Sequence, residues 1–211
     1  MGSMILEKFV CGPFDTNAYL FGNDKLCAID PAYGSKDLIL AVLEKTGSTL
    51  DKILLTHSHW DHVADVKALT DATNAPVYVH KLDAVNLEKP GSDGLPSLMP
   101  IQGVKTECFL EEGAAVTVGD LVFQVIHTPG HSPGGVCFYQ KEEKLLFSGD
   151  TLFQGTIGNL GFPTSDPDAM WESLKKLENL PTDTRVLPGH GPDTFLEDER
   201  WICRAKEKFK Y

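Results

Sequence analysis

Long apolar runs are absent from this sequence, and their absence limits what the protein can be. None of its 211 residues lies in a run approaching the roughly 18 consecutive apolar residues that cross a bilayer as a helix. No charged segment followed by an apolar one resembles an export signal either. We therefore expect no membrane partner. Met-Gly-Ser at residues 1–3 resembles a remnant of cloning, and residues 4–211 are expected to form one domain.

Cysteine pairs are also missing. The five cysteines are odd in number, and no two of them are spaced as Cys-x-x-Cys. A disulfide framework is therefore not expected. The composition instead favours a reducing compartment, either the cytoplasm or an organelle matrix.

Basic residues are scarce. The chain has 19 Lys and Arg against 30 Asp and Glu, which gives a formal net charge of −11. Nucleic-acid binding needs a basic surface, so the composition argues against it. A small molecule is the expected partner, and the sequence leaves the oligomeric state open.

Metal-capable side chains are concentrated in one stretch, Thr56-His57-Ser58-His59-Trp60-Asp61-His62. It contains three of the seven histidines of the chain and one carboxylate. Side chains two apart point the same way in an extended segment, so His57 and His59 can face one ion. If a helix starts after them, Asp61 and His62 lie on its first turn and can face a second ion.

Three more donors each follow an apolar run that resembles a strand. His131 follows such a run, and so do Asp150 and His190. In layered α/β folds, groups at the carboxyl ends of strands gather at one edge of the sheet, where sites form. The sequence therefore predicts a site built from seven ligands, five His and two Asp.

These motifs resemble those of the metallo-β-lactamase-fold hydrolases. His-x-His-x-Asp-His at 57–62, Pro-Gly-His at 129–131, Ser-Gly-Asp-Thr-Leu-Phe at 148–153 and Pro-Gly-His-Gly at 188–191 occur in the order of that superfamily. Within it, the chain is most similar to glyoxalase II, the hydroxyacylglutathione hydrolases, and particularly to their short single-domain relatives. The lactamases themselves match less well, because many carry a cysteine where this chain has Asp150.

The resemblance implies a role for each ligand. One metal would be held by His57, His59 and His131, a second by Asp61, His62 and His190, and Asp150 would bridge the two. Asp61 and Asp150 would also act in catalysis. Zn²⁺ suits these ligands, and Fe or Mn would accept the same set, so two divalent metal ions of open identity are expected.

The expected fold class is α/β, a four-layer αββα sandwich with the metals at one edge between two sheets. The first half is predicted as three antiparallel strands, a helix at 36–46 capped by Ser35, a strand at 53–55, a helix at 61–73 and a strand at 76–79. The second half is predicted as five strands between 106 and 148, a helix at 167–178, a strand at 184–187 and a helix at 195–208.

The sequence leaves two interpretations open for Asp30 and for the loop at 88–104, and it contains two histidines outside the ligand motifs. Asp30 either accepts a hydrogen bond from a ligand imidazole beneath the metals or simply starts a turn before a proline. The Pro- and Gly-rich loop at 88–104 either covers the substrate with its apolar side chains, among them Leu95, or packs on the surface. His80 and His127 lie outside the ligand motifs and are expected to be structural.

The expected chemistry is hydrolysis of an acyl thioester, S-D-lactoylglutathione or a related compound, by a hydroxide that the two metals share. A thiolate, with a reference pKa of about 8.5, leaves with little help from an acid, which suits a site with no evident general acid. However, Asn159 and Gly161 stand where the longer enzymes place a lysine and a tyrosine on glutathione. Two alternatives therefore stay open: a persulfide dioxygenase with one iron, and a hydrolase of uncharged esters such as lactones.

Overall fold

Two mixed β-sheets form the centre of the fold. The computed structural model describes residues 4–209, so the predicted cloning remnant at residues 1–3 lies outside the described residues. The first sheet has six strands in sequence order. They are β1 (Ile5–Cys11), β2 (Thr16–Gly22), β3 (Lys25–Ile29), β4 (Thr49–Leu54), β5 (Val77–His80) and β6 (Cys108–Leu110). The first three are antiparallel, as predicted, and β3 to β6 are parallel.

The second sheet also has six strands, in the order β12-β11-β10-β9-β8-β7. They are β7 (Ala115–Val118), β8 (Leu121–His127), β9 (Val136–Gln140), β10 (Leu145–Gly149), β11 (Arg185–Pro188) and β12 (Thr194–Phe195). Strands β7 to β10 pair antiparallel, whereas β10 and β11 are parallel. As a result β8, β10 and β11 run in one direction and end at one edge of the sheet.

Helices cover the outer faces, which confirms the predicted four-layer αββα sandwich. Helices α1 (Ser35–Thr46) and α3 (Val66–Thr73) pack on the first sheet, and α5 (Pro167–Leu177) packs on the second. Between the sheets lie the fully buried rings of Phe21, Phe123 and Phe147, with centroids 5.6–6.1 Å apart. Burying a ring of this kind stabilises a fold by about 1.5–3 kcal/mol. Across residues 4–209, no helix is both long and apolar enough to cross a membrane.

The helix predicted at 61–73 is divided into α2 (Trp60–Val63) and α3. The interruption at Asp65 has a tertiary cause, because its backbone N–H donates to the carbonyl of Pro31 over 3.0 Å instead of continuing the helix. The break turns the carboxylate of Asp65 toward the start of α1.

The predicted cap of α1 is also wrong. Ser35 is the first residue of the helix and no side chain of α1 itself caps it. The Asp65 carboxylate accepts the N–H groups of Gly34 and Lys36 instead, each at 2.9 Å. Free N–H groups at a helix start need an acceptor, and here a residue 29 positions away from Lys36 provides it.

The helix predicted at 195–208 is wrong in its first part. Strand β12, a 3₁₀ helix at Arg200–Arg204 and a short α6 (Ala205–Lys208) occupy this region. The buried carboxylate of Glu199 accounts for the break, since it accepts the Thr194 hydroxyl at 2.6 Å and the N–H of Gly155 at 2.8 Å. The sequence also fails to predict the short helix α4 (Ala84–Glu88).

Replacing Asp65 by alanine should destabilise the fold, because two N–H groups at the start of α1 lose their acceptor. Asp65→Ala is expected to lower the free energy of unfolding by about 1–3 kcal/mol in urea denaturation. Asp71→Ala removes only an exposed pair with Lys67 and should change it by less than about 0.5 kcal/mol. Equal effects of the two substitutions would show that the Asp65 carboxylate does not stabilise α1.

Candidate metal centre

The seven predicted donor side chains lie together where strands β4, β8, β10 and β11 end. The two sheets are joined at this edge by backbone hydrogen bonds. The N–H of Val136 donates to Thr56 over 2.8 Å, and the N–H of Asn17 donates to Gly189 over 2.7 Å. Donors from both sheets therefore face one another across a few ångströms.

One group of donors consists of His57, His59 and His131. Their nearest ring nitrogens lie within 4.8 Å of one another, and all three residues are at most 5% exposed. His59 Nδ1 is 2.8 Å from His131 Nε2. Two imidazole nitrogens this close require a proton or a cation between them, because their lone pairs otherwise repel.

A second group consists of Asp61, His62 and His190. His62 Nε2 lies 3.3 Å from His190 Nε2, and Asp61 Oδ2 lies 3.4 and 3.3 Å from these two atoms. The hydroxyl of Thr16 donates to the same carboxylate oxygen over 2.8 Å. Thr16 thus orients the Asp61 carboxylate toward the two rings.

Asp150 lies between the two groups. Its Oδ2 is 3.3 Å from His131 Nε2, which belongs to the first group, and 3.6 Å from His190 Nε2, which belongs to the second. Its Oδ1 is 3.3 Å from His62 Nε2. One carboxylate therefore contacts a donor of each group, which is the position that a bridging ligand needs.

The outer nitrogens of these rings are held by the protein. His131 Nδ1 donates to the carbonyl of Asn159 at 2.8 Å, and His190 Nδ1 donates to that of Phe14 at 3.0 Å. A carbonyl accepts only, so Nδ1 carries the proton and the Nε2 atom faces the centre. His62 Nδ1 lies 3.0 Å from Asp30 Oδ2.

The hydrogen bond to His62 decides between the two interpretations of Asp30. Asp30 does occupy a turn, with φ of 49° in the left-handed region. Its carboxylate also accepts the backbone N–H of Thr56 at 2.7 Å. Asp30 therefore both turns the chain and holds a donor ring, whereas a residue that only began a turn would leave its side chain free.

The pKa values show how charge is shared within the centre. Burial alone would raise the pKa of Asp61, but the neighbouring imidazoles hold it at about 2. Burial would likewise raise the pKa of Asp150, yet His62 and other imidazoles hold it well below its usual range. Burial would lower the pKa of His62, but Asp61 and Asp150 raise it well above its usual value. Burial lowers the pKa of His59 to about 3.

This donor set fits a divalent metal ion. Three buried atoms in it, His57 Nε2, His59 Nε2 and Asp150 Oδ1, have no hydrogen-bond partner among the described residues. Imidazole nitrogen and carboxylate oxygen are the ligands that Zn²⁺ takes, and Fe and Mn accept them too. The His and Asp clusters are therefore suited to binding metal ions.

Two glycines permit this close packing. Gly149 has φ of 49°, and a Cβ there would collide with the side chain of Thr56. A Cβ on Gly189 would collide with Asp150 Oδ1 and His62 Cε1. The Gly that precedes each of Asp150 and His190 thus keeps the space that the donors occupy.

The structure adds a supporting carboxylate that the sequence does not single out. Asp83 is 3% exposed. Its two carboxylate oxygens bind the loop that carries His59 and the loop that carries His131. One accepts the N–H of Ser58 at 2.8 Å, and the other accepts the N–H of Gly134 at 2.6 Å. Asp83 follows the end of β5, so the same strand-end rule that predicts the ligands could have identified it.

The loop at 88–104 is attached to the centre through Asn86. The amide of Asn86 donates to the carbonyl of Ser58 at 2.7 Å and to Asp93 Oδ2 at 2.9 Å, and its oxygen accepts the N–H groups of Gly91 and Asp93. Asp93 Oδ2 lies 4.0 Å from His59 Nε2, a buried atom without a hydrogen-bond partner. No pattern in the sequence predicts this connection.

A cavity of about 260 Å³ opens above the donors. Leu95 from the loop at 88–104 lines it, whereas Leu98 is 65% exposed and Ile101 packs against the outer core. The loop therefore covers the cavity with one apolar side chain and packs elsewhere with another.

His80 and His127 stack on each other, with ring centroids 4.1 Å apart, and belong to none of the donor groups among the described residues.

A family model and similar proteins of known sequence agree on one family for this chain. Residues 11–190 match the family described as the metallo-beta-lactamase superfamily. The chain is 34% identical over 197 residues to "Probable metallo-hydrolase YqgX" of Bacillus subtilis (strain 168), covering 92% of this chain and 93% of that protein. It is 31% identical over 205 residues to "Hydroxyacylglutathione hydrolase GloC" of Haemophilus influenzae (strain ATCC 51907 / DSM 11121 / KW20 / Rd), covering 93% and 95%.

Solved structures give the same result. The structure described as BLEG-1 B3 metallo-beta-lactamase has a TM-score of 0.86 and 37% identity, covering 92% of this chain and 96% of that one. The structure described as TTHA1623 in a di-iron-bound form has a TM-score of 0.80 and 42% identity, with the same coverage of 92% and 96%.

Metal uptake should release protons. The raised pKa of His62 means that its ring holds an extra proton in metal-free protein at neutral pH, and a metal must displace that proton. We expect Zn²⁺ affinity to increase as pH rises from 6 to 8, with proton release at pH 7 measured by calorimetry in buffers of different ionisation enthalpy. Metal uptake at pH 7 without proton release would mean that His62 is already neutral.

Removing Asp83 should weaken metal binding although Asp83 does not face the ions. Asp83→Ala frees the loops that carry His59 and His131, and we expect about a tenfold loss of Zn²⁺ affinity with the far-ultraviolet circular dichroism retained. Asp168→Ala, at an exposed position on α5, is the matched control and should leave affinity unchanged. Unchanged affinity in Asp83→Ala would mean that other contacts hold the two loops.

Proposed function

Because the chain belongs to the metallo-beta-lactamase superfamily, we propose that it is a dinuclear metal hydrolase that cleaves an acyl thioester. The observation that carries the proposal is the gathering of five His and two Asp side chains beneath an open cavity. The relative described as a hydroxyacylglutathione hydrolase supports this reaction class. A structural zinc site is usually closed and rich in sulfur, which this donor set is not.

We assign the ligands as the sequence motifs predict. His57, His59 and His131 would hold one metal, and Asp61, His62 and His190 would hold the other, with Asp150 between them. Bound divalent ions would lower the pKa of water and polarise the carbonyl of the substrate. The solved di-iron structure supports a two-metal centre and makes iron a candidate beside zinc and manganese.

The protein residues favour a thioester over substrates with poorer leaving groups. Apart from the candidate metal ligands, the described residues that line the cavity include no Ser, Thr, Cys, Tyr or Lys, so none of them offers a hydroxyl, thiol or amine as nucleophile or general acid. Attack must then come from water: a C–O bond forms, the C–S bond breaks, and the electron pair leaves with sulfur. A thiolate departs without a proton from the enzyme and takes one from solvent, because its reference pKa is about 8.5.

The two candidate catalytic carboxylates have complementary supports. Asp61 accepts a hydrogen bond from Thr16, and Asp150 is surrounded by imidazoles. Both have lowered pKa values, so both stay ionised at neutral pH. As ionised acceptors they would accept hydrogen bonds from a water in the cavity and balance the charge of bound cations.

A substrate panel with defined metals tests the proposal. Protein loaded with zinc, iron or manganese is assayed with acyl thioesters, a lactone and a β-lactam, and with a persulfide under oxygen. The β-lactam is included because one similar structure is described as a B3 metallo-beta-lactamase. Turnover of thioesters at two bound metals supports the proposal. Oxygen uptake at one bound iron, or turnover of only the lactone or the β-lactam, would replace it with the corresponding alternative.

Removing the bridging carboxylate should abolish the activity. Asp150→Ala is expected to lower kcat by at least about 10³-fold and to reduce the bound metal toward one ion per chain, measured by mass spectrometry after purification without chelator. His80→Ala changes a histidine outside the donor groups and should retain both metals and full activity. Near-normal turnover in Asp150→Ala would remove Asp150 from the bridge.

A further inference from the structure

The cavity above the donors has an apolar wall. Apart from the donors, the residues that line it share bulk and lack charge: Phe14, Trp60, Leu95, Phe153, Asn159 and Phe162. Five of these six side chains are apolar or aromatic. We refer to Phe14, Trp60, Phe153 and Phe162 as the aromatic collar.

The aromatic collar lies against donor rings of both groups. Phe162 has its centroid 5.4 Å from that of His59 and 5.5 Å from that of His131. On the other side, Phe153 lies 5.9 Å from His190. A group bound in this cavity beside the donors would therefore lie next to aromatic surface.

Permanently charged basic side chains are missing from the described part of this wall. Among the described residues that line the cavity there is neither Lys nor Arg. The amide oxygen of Asn159 accepts the N–H of Gly161 at 2.9 Å. Lys8, which approaches the chain next to His190, is bound to the carbonyl of Gly191 at 2.8 Å and to Asp193 at 3.0 Å.

A glutathione carrier fits this wall poorly. Its two carboxylates would lie near apolar surface with no cation to pair with, and an unpaired charge that loses water is costly. The chain also has a net charge of −11, which repels an anionic substrate at long range. An uncharged substrate avoids both penalties, and its binding is stabilised by the apolar surface that it buries against the aromatic collar.

We propose that the preferred substrates are small acyl thioesters that are uncharged on both sides of the scissile carbonyl, with an apolar or aromatic group held by the aromatic collar. This specificity rests on the proposed thioesterase function. A volume of about 260 Å³ suits a small acyl group and carrier, since sites for drug-sized ligands span roughly 300–1,000 Å³.

The carrier is tested with one acyl group on two thiols. Zinc- or iron-loaded protein is given the phenylacetyl thioester of N-acetylcysteamine, which is neutral, and the phenylacetyl thioester of glutathione. We expect kcat/KM to favour the neutral compound by at least about tenfold. Equal turnover, or a preference for the glutathione compound, overturns the specificity and leaves the thioesterase proposal standing. Turnover of neither compound overturns both.

Variants of the wall test which side chains carry the preference. Leu95→Ala and Phe162→Ala should each raise KM for the neutral thioester several-fold while the two bound metals are retained. Leu95 lines the cavity from the loop at 88–104, whereas Phe162 also lies against His59 and His131, so comparing the two variants separates loss of binding surface from disturbance of those rings. Unchanged KM in both variants would show that the wall does not bind substrate.

Added charge provides the reverse test. Asn159→Lys places a cation on the cavity wall and should increase kcat/KM for the glutathione compound several-fold, with the gain shrinking at high salt. Gln124→Lys makes the same charge change at an exposed position of β8 outside the cavity and should have no such effect. Equal gains in both variants would mean that overall charge, and not the wall, selects the carrier.

Discussion

The structure around the candidate centre depends on how the charge around His62 is balanced. This ring has no exposed surface, and carboxylate oxygens of Asp30, Asp61 and Asp150 lie 3.0–3.4 Å from its nitrogens. Carboxylates buried this close repel one another strongly, because the surrounding protein screens charge poorly. The arrangement is stable only with a cation in it. A proton on His62 provides one in metal-free protein, and a metal provides a larger one.

The fold brings the three carboxylates to His62, and hydrogen bonds between the two sheets hold them there. Each carboxylate follows a different strand or helix start, and the ends of those elements meet at one edge. Polar side chains join the two sheets there: the hydroxyl of Tyr19 donates to the carbonyl of Pro188 at 2.7 Å, and Asn17 donates to the same carbonyl at 2.8 Å. Asp83 then binds the loops that carry donors of both sheets. Because hydrogen bonds are directional, these contacts define where the donors meet more narrowly than the apolar packing between the sheets does.

Most of the fold and the gathering of the donors could be predicted from the sequence. The features that could not be predicted share a cause. The strands, the four layers and the meeting of the donor motifs follow from apolar runs and from what stands at their ends. The break at Asp65, the turn at Glu199 and the link from Asn86 to Asp93 depend on partners far along the chain or on irregular loops. Periodicity describes how a segment relates to a sheet and carries no information on which distant N–H group a carboxylate will accept. For the same reason Ser35 is a good cap by composition and is not the cap in the fold.

Under the proposed specificity, substrate choice depends on few residues, and most of them lie outside the family motifs. Of the eleven described residues that line the cavity, five are the donors His59, Asp61, His131, Asp150 and His190, which any member with this chemistry needs. The other six form the rest of the wall, and of these only Trp60 and Phe153 lie within the family motifs. A relative with the same donors can therefore act on a different carrier. Identity near 31% to a relative therefore supports a metal-dependent hydrolase more firmly than it supports any particular substrate, because the donors are fixed by the chemistry whereas the wall is not.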